Sequence, residues 1–249
     1  MSNLCSTTAD SFFATNRMTG NAASRREIIG SDDADDLYGG GSNDQLYGAL
    51  GDDALTGGEG NDMLWGGDGN DVLTGDDGND ALMGGNGDDV LTANYGNDLL
   101  RGEAGGDFLY GQDGNDALWG GSGDDALYGG LGDDKLYGEK GGDTLFGEDG
   151  ADRFIYKKPS DTALNTMDAI FDFDAATGDR IDLAKMDANA AKAGNQAFKL
   201  VDGAFSAAGQ VYFDSSTQAL YGSNDADGAA EFAIQLIGVA GMDASALIL

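Results

Sequence analysis

The sequence predicts an all-β chain, a parallel β-roll followed by a C-terminal β domain. Three observations predict it. Residues 30 to 155 divide into fourteen units of nine with no insertion. Counting each unit from its first residue, beginning at Gly30, position six is aspartate throughout, and position eight is leucine in thirteen units and Phe154 in the last. Position one is glycine except at Ala93, and position four is glycine except at Asp33 and Ser42. Four columns held in register over that length mark a repeat architecture, in which a unit too small to bury a core alone is stabilised by stacking on its neighbours.

The elements follow in order. Residues 1 to 29 are polar, weakly basic and without periodicity. They read as a flexible lead-in, with EII (27 to 29) a candidate edge strand. Within a unit such as GGEGNDMLW (57 to 65), only the last three or four residues have strand character. Alternation there turns position eight to one face and positions seven and nine to the other. The glycines before them belong to a turn, where positive φ and close backbone approach carry no side-chain penalty. Two units make one flattened coil, with leucines of both faces meeting inside. Fourteen units give seven coils, a stack roughly 34 Å long at the ~4.8 Å spacing of strands. Residues 156 to 249 lack the period and carry apolar segments, AIFDF, RIDL, AFKLV, QVYF and FAIQLIGV, suited to ordinary strands.

Charge says what the repeats face. The chain has 45 acidic and 13 basic residues, no histidine, and a net charge of −32. Counted by segment, 30 acidic and 4 basic residues lie in the repeats, which therefore hold −26 of that charge. Such a surface repels nucleic acid and anionic lipid and attracts cations. Stacking brings the turns of units two apart together along one edge. Each turn offers a carboxylate, from Asp35, Asp44, Asp53, Asp62, Asp71, Asp80, Asp89, Asp98, Asp107, Asp116, Asp125, Asp134, Asp143 and Asp152 in succession. Carbonyls freed by the glycine backbone join them. A ring of hard oxygens with irregular geometry suits calcium; magnesium demands a stricter octahedron, and zinc prefers nitrogen or sulfur. Units paired two apart allow up to twelve inter-turn sites in a row of fourteen, and twelve dications nearly balance the segment. Without them the stacked carboxylates repel, so folding is expected to depend on calcium. With no histidine to titrate near neutrality, metal-held carboxylates are expected to release calcium only well into the acid range. Unit eight, ANYGNDLLR, is the expected weak place, because Ala93 stands where position one otherwise has glycine.

The unit GGxGxDxLx is similar to the RTX nonapeptide, a calcium-binding repeat. The resemblance implies a calcium β-roll over residues 30 to 155. It also implies a ligand set: carbonyls of positions two and four with the aspartate of one turn, and carbonyls of positions one and three with the aspartate of the next. On this chain the carbonyl donors are then Gly58, Gly60, Gly67, Gly69, Gly85, Gly87, Gly121, Gly123, Gly130 and Gly132. The segments AIFDFDAATGDRIDLAKMDAN, GNQAFKLV, GQVYF and NDADGAAEFAIQLIGV resemble the C-terminal domain of serralysin-type metalloproteases. That implies export by a type I exporter reading an uncleaved signal at the end of the chain, here EFAIQLIGVAGMDASALIL, and an extracellular location. The basic start and apolar run of a cleaved N-terminal signal are absent, and no apolar run reaches the ~18 residues of a membrane helix.

Enzyme classes fare poorly. A zincin needs HExxH and an RTX lipase GxSxG; neither occurs. The 29 residues before the repeats are too few for a catalytic domain. The reading is a secreted, non-enzymatic calcium-binding protein acting at a cell surface or in a matrix, with an extracellular polysaccharide as a candidate partner. Its alternatives are a calcium-dependent module of a larger secreted enzyme (metalloprotease, lipase or alginate epimerase) and a membrane-active RTX protein. Position nine points outward and is aromatic at Tyr110, Trp119, Tyr128, Tyr137 and Phe146. Such rings either stack on sugars or stack on one another. Asp225, Asp227 and Glu231 form one further acidic turn with calcium-ligand spacing, equally readable as solvated. The lone Cys5 offers no intramolecular disulfide.

Overall fold

The computed structural model describes residues 11–13, 18–19, 25–189, 196–203, 205–225 and 229–249. Cys5 and Asp227 lie outside them, as does most of the lead-in. Thirteen six-residue strands follow one another from Asp36–Gly41 to Thr144–Asp149. Each pairs in parallel with the strand two units on, leucine beside leucine, as in Leu46, Leu64, Leu82 and Leu100. Successive strands therefore alternate between two sheets, one of 11 strands and one of 13. Leu37 to Leu145 and Phe154 are all at most 1% exposed and form a single row of core between the sheets.

The strands are longer than the expected three or four residues. Each runs from position seven through positions one to three of the next unit, as Val90–Tyr95 does. Its pairing with Phe108–Asp113 skips position one and resumes at Asn94 with Gln112. Position two carries the positive φ, for instance 122° at Gly85 and 79° at Asn94. The backbone kinks there and re-enters the ladder, so only positions four to six remain as turn. Ala93 itself has no positive φ and is fully buried. Positive φ thus falls at positions two and four and not at position one.

The lead-in also differs from the expected free edge. Glu27–Ile29 lies inside its sheet, paired with Ser11–Phe13 on one side and Gln45–Leu50 on the other. Ile28 joins the leucine row. Glu27–Ile29 therefore runs in register with the repeats, which places Arg26 at position six and Ile28 at position eight.

After Ile155 the two sheets continue. Arg153–Ile155 pairs with Arg180–Asp182, and that with Leu247–Ile248. On the other face Thr144–Asp149 pairs with Asp168–Ile170, and that with Phe232–Leu236. There the direction changes: Ala219–Ser223 and Gln210–Asp214 add antiparallel strands, and Lys199–Leu200 closes the edge. Tyr156, Ile170, Ile181, Phe232, Ile234 and Leu236 extend the same core. The only helical elements among the described residues are two 3-10 turns, Pro159–Asp161 and Ala244–Ala246.

Candidate metal sites

All fourteen position-six aspartates are buried, at 0 to 4% exposure. From Asp35 to Asp134 the arrangement is the same along each edge: the N–H of one aspartate donates to Oδ1 of the aspartate two units on. Asp71 N–H to Asp89 Oδ1 spans 2.8 Å, and Asp116 N–H to Asp134 Oδ1 spans 2.7 Å. The other oxygen is the unusual one. From Asp44 to Asp152, thirteen Oδ2 atoms are buried with no hydrogen-bond partner. Asp35 is the exception, since its Oδ2 accepts the N–H and the hydroxyl of Ser31, at 2.6 and 2.9 Å. A buried carboxylate oxygen without a donor is costly, and a column of them is sustained only by cations or protons.

The position-one carbonyl of the later turn faces the same space and those of positions two and four face the later turn, as the turns 66–71 and 84–89 illustrate. A methyl group on Gly66 would meet Asp71 Oδ2 inside 3.0 Å and Gly84 O at 2.7 Å. Methyls on Gly85 and Gly87 would collide with the carbonyls of Gly67 and Gly69. So carbonyls of positions two and four point forward to the later turn, and that of position one points back. The third carbonyl of the later turn, Asn86 O, accepts the N–H of Gly69 at 2.8 Å. Gly60, Gly123 and Gly132 direct their carbonyls at Gly78, Gly141 and Gly150 in the same manner. All ten glycines expected to supply carbonyls have positive φ, from 108° at Gly58 to 144° at Gly69. Position one is therefore glycine for space rather than for φ.

This donor set fits calcium. It consists of oxygens alone, and among the described residues no point gathers three or more histidine, cysteine or acidic side chains. A cation here would be held by one or two carboxylates and a majority of carbonyls, the irregular oxygen shell that calcium accepts. The residues that would hold it in this pair are Asp71 and Asp89 with the carbonyls of Gly67, Gly69, Gly84 and Asn86.

Burial sets the electrostatics. From Asp53 to Asp152 desolvation is the largest cause, opposed by the donated N–H and reinforced by neighbouring acidic residues, whereas at Asp44 Arg26 and Arg25 oppose it. Asp80, Asp98 and Asp116 rise from the ordinary 3.8 to about 6, Asp62 and Asp134 to about 7, and Asp125 to about 8. Asp44 and Asp71 are raised as well.

Several features are absent from the pattern that defines the repeat. Position five forms a second, exposed ladder running the other way, its side chain accepting the N–H two units later. Asn61 accepts from Asn79 at 3.0 Å, and Asn79 from Asn97 at 2.7 Å. Arg26 donates its N–H to Asp44 Oδ1, as a position-six aspartate would, and its guanidinium reaches Gly39 O, a position-one carbonyl, at 3.2 Å. Beyond the repeats, Asp168 and Asp179 accept the N–H groups of Asp143 and Asp152 at 3.1 and 3.0 Å. DAIF (168 to 171) and DRID (179 to 182) are the sequence signal, the DxLx half of a unit without its glycines. In the acidic turn, Glu231 Oε2 accepts the N–H of Asn224 at 2.5 Å.

The position-nine rings stack face to face on each other. Tyr110, Tyr128, Phe146 and Phe171 form one column with 4.9 to 5.0 Å between centroids. Trp119 and Tyr137 form another, with Arg101 over the outer face of one ring and Lys157 over that of the other. The ring faces turned toward one another in these columns are used within the protein.

The family model for the RTX calcium-binding nonapeptide repeat matches residues 27–55, 56–91, 92–127 and 119–154, just over half of the chain. Among solved structures, the chain is similar to the AlgE6R3 subunit of the Azotobacter vinelandii mannuronan C5-epimerase. Identity is 27%, the TM-score is 0.38, and the match covers 66% of this chain and 78% of that one. It is also similar to the extracellular lipase LipA from Serratia marcescens, at 20% identity and a TM-score of 0.33, covering 96% of this chain and 42% of the lipase. No curated protein sequence matches it.

Two expectations follow. A carboxyl whose folded-state pKa is raised stabilises the fold below its unfolded value of 3.8, and that stability is lost as pH rises through about 6 to 8. In chelator, β circular dichroism should therefore be greater at pH 4.5 than at pH 8, whereas calcium should reverse that order. Equal or greater β signal at pH 8 without calcium would contradict it. The second concerns Ala93, whose methyl occupies the space that other units leave beside Oδ2. Ala93→Gly should lower the calcium concentration at the folding midpoint, although glycine costs about 1 kcal/mol in the unfolded chain. A higher midpoint in the variant would mean that the Asp98 turn accommodates the methyl.

Proposed function

The chain belongs to the family of RTX calcium-binding nonapeptide repeat proteins, and on that premise we propose that calcium is its folding ligand and that it works outside the cell without catalysing a reaction. The column of thirteen buried, unpartnered carboxylate oxygens supports this most strongly. At neutral pH those oxygens oppose the fold, and calcium converts the same atoms into its fastening. We place the ions between turns two units apart, on the position-six aspartates and the carbonyls of positions one to four. In this reading residues 30 to 155 are the calcium roll and residues 156 to 249 its β-structured C-terminal cap, with residues 1 to 29 leading in.

The same coupling suits passage through a type I exporter. A chain that stays open where calcium is scarce is threadable, and millimolar calcium outside then closes it. The terminal strand Leu247–Ile248 is paired with Arg180–Asp182 in the fold, with Leu247 nearly buried. An exporter that reads this tail would have to do so before folding. No helix among the described residues is long and apolar enough to cross a membrane.

At its destination the roll serves as a surface or matrix module. A polysaccharide or surface partner would meet ring edges and the charged tips of Arg101 and Lys157, since the ring faces are taken by stacking. A non-catalytic role is supported by the occupation of the repeat carboxylates in the ladder and by the absence of histidine.

The test is a calcium titration followed by far-ultraviolet circular dichroism. Little regular structure is expected in chelator at pH 7.5, with a cooperative gain of β signal on adding calcium and a much weaker response to magnesium. Full β signal in excess chelator would refute the proposal.

A further inference from the structure

The charge of the roll is divided by face. Its basic residues, Arg101, Lys135, Lys140 and Arg153, all lie on strands of the 11-stranded sheet, Leu99–Ala104, Lys135–Lys140 and Arg153–Ile155. The repeat strands of the other sheet, from Asp36–Gly41 to Thr144–Asp149, carry none. Lys157 and Lys158 follow directly on the last of the basic strands. A chain of net charge −32 thus gathers cations toward one end of one face.

A groove runs among them. Glu103, Gly121 and Glu139 are neighbours across three paired strands, and so are Ala104, Ser122 and Lys140. Gly121 has no side chain and Ser122 a short one, so the surface dips between Glu103 and Glu139 into adjoining hollows of about 290 and 170 Å³. Arg101 and Trp119 line the smaller, Lys140 and Lys158 the larger, and Lys157 borders both. Most of the acid here is already engaged. Glu139 accepts Lys157 Nζ at 3.1 Å, and Asp161 Oδ2 accepts the N–H groups of Lys157 and Lys158, both at 2.9 Å. Arg101, Lys140 and Lys158 are exposed, and their side chains enter no ion pair among the described residues. Three cations are then left against the single carboxylate of Glu103.

We propose that this groove binds a carboxylate-bearing polysaccharide. The proposal rests on the reading of the roll as a surface or matrix module and gives that module a ligand class. Arg101, stacked over Trp119 and without a carboxylate partner, has its planar fork of N–H groups available for a sugar carboxylate. Lys140 and Lys158 add point charges beside it, and Glu103, Glu139 and Ser122 can accept sugar hydroxyls. The surrounding acid selects for sparse charge. Nucleic acid carries a charge every ~1.7 Å and would press most of its phosphates against the acidic repeats. A polysaccharide with its carboxylates spaced by whole sugars lays neutral stretches there instead. Screening over about 8 Å at physiological ionic strength confines the attraction to the patch itself.

Isothermal titration calorimetry on the full-length, calcium-loaded protein tests this with short oligosaccharides of hyaluronan, of galacturonan and of neutral dextran. The two acidic probes should bind, more weakly as salt is raised, and dextran should not. Lys140→Glu combined with Lys158→Glu should weaken acidic binding by about tenfold. Ser122→Tyr, which fills the groove and changes no charge, should weaken it as well. All three positions are exposed, and Tyr95 and Leu131 show that position three accepts bulk, so the calcium-dependent β signal should persist in both variants. If one variant fails to fold, the other decides. Acidic binding that is absent, or unaltered in the folded variants, overturns the groove. Equal binding of dextran also overturns it but leaves a polysaccharide-binding surface standing, whereas binding of none of the probes refutes the polysaccharide reading altogether.

Discussion

One unsatisfied atom, repeated along two edges, governs this molecule. The Oδ2 of each position-six aspartate is buried where no protein donor reaches it. Were it to accept an N–H as Oδ1 does, the roll would be an ordinary β-solenoid, stable without ions. Leaving it free is the basis of the proposal that the fold depends on a cation. The other invariants of the repeat can be derived from that. Position one is glycine because a methyl would lie against the oxygen, and position four because a methyl would strike the carbonyl of the preceding turn. The leucine row supplies burial, but only about one large side chain per strand, too little to offset the ordering of so glycine-rich a backbone.

The ends of the stack show the same constraint met by other means. At Asp35 a serine closes the carboxylate. Next to Gly39 and Asp44 a tethered cation, Arg26, takes the position an ion would share. Asp179 closes the far end of one edge with a backbone N–H. Protein donors thus close the carboxylates at Asp35 and Asp179, while at Asp44 Arg26 engages only Oδ1 and the Gly39 carbonyl and leaves Oδ2 open. Net charge follows the same division: the lead-in is slightly basic, and the surplus acid lies where ions are expected.

Much of this was legible in the sequence, for a definite reason. A nine-residue period and an inward leucine are properties of single columns, and columns are visible without a structure. The position-six carboxylates were equally plain as a column of fourteen aspartates. What stayed hidden depends on pairs of residues eighteen or more apart. Strands run to six residues because pairing resumes after the kink at position two, a fact of register. The position-five ladder is hidden because asparagine, aspartate and glycine alternate there. Asp168 and Asp179 escaped notice because their coils are longer by seven and nine residues than the repeat, which breaks the period while preserving the stacking.

The two ladders give the stack a direction and a cooperativity that neither would give alone. Buried carboxylates point backward, each N–H accepted by the aspartate of the later coil, while position-five side chains point forward to the later N–H. A turn is therefore fixed only when both neighbours on its edge are in place. On the proposed reading, an ion at Asp71 Oδ2 would order the turn whose Asp89 Oδ1 already accepts the Asp71 N–H, so filling one site would prepare the next. Because successive units alternate edges while sharing one leucine row, order on one edge is passed to the other through the core. Nearest-neighbour coupling of this kind makes a long stack close nearly as one unit and makes a short one fray. A cap that adds paired strands to both sheets removes one of the two fraying ends, which is reason enough for the C-terminal segment to share its sheets with the roll instead of folding apart from it.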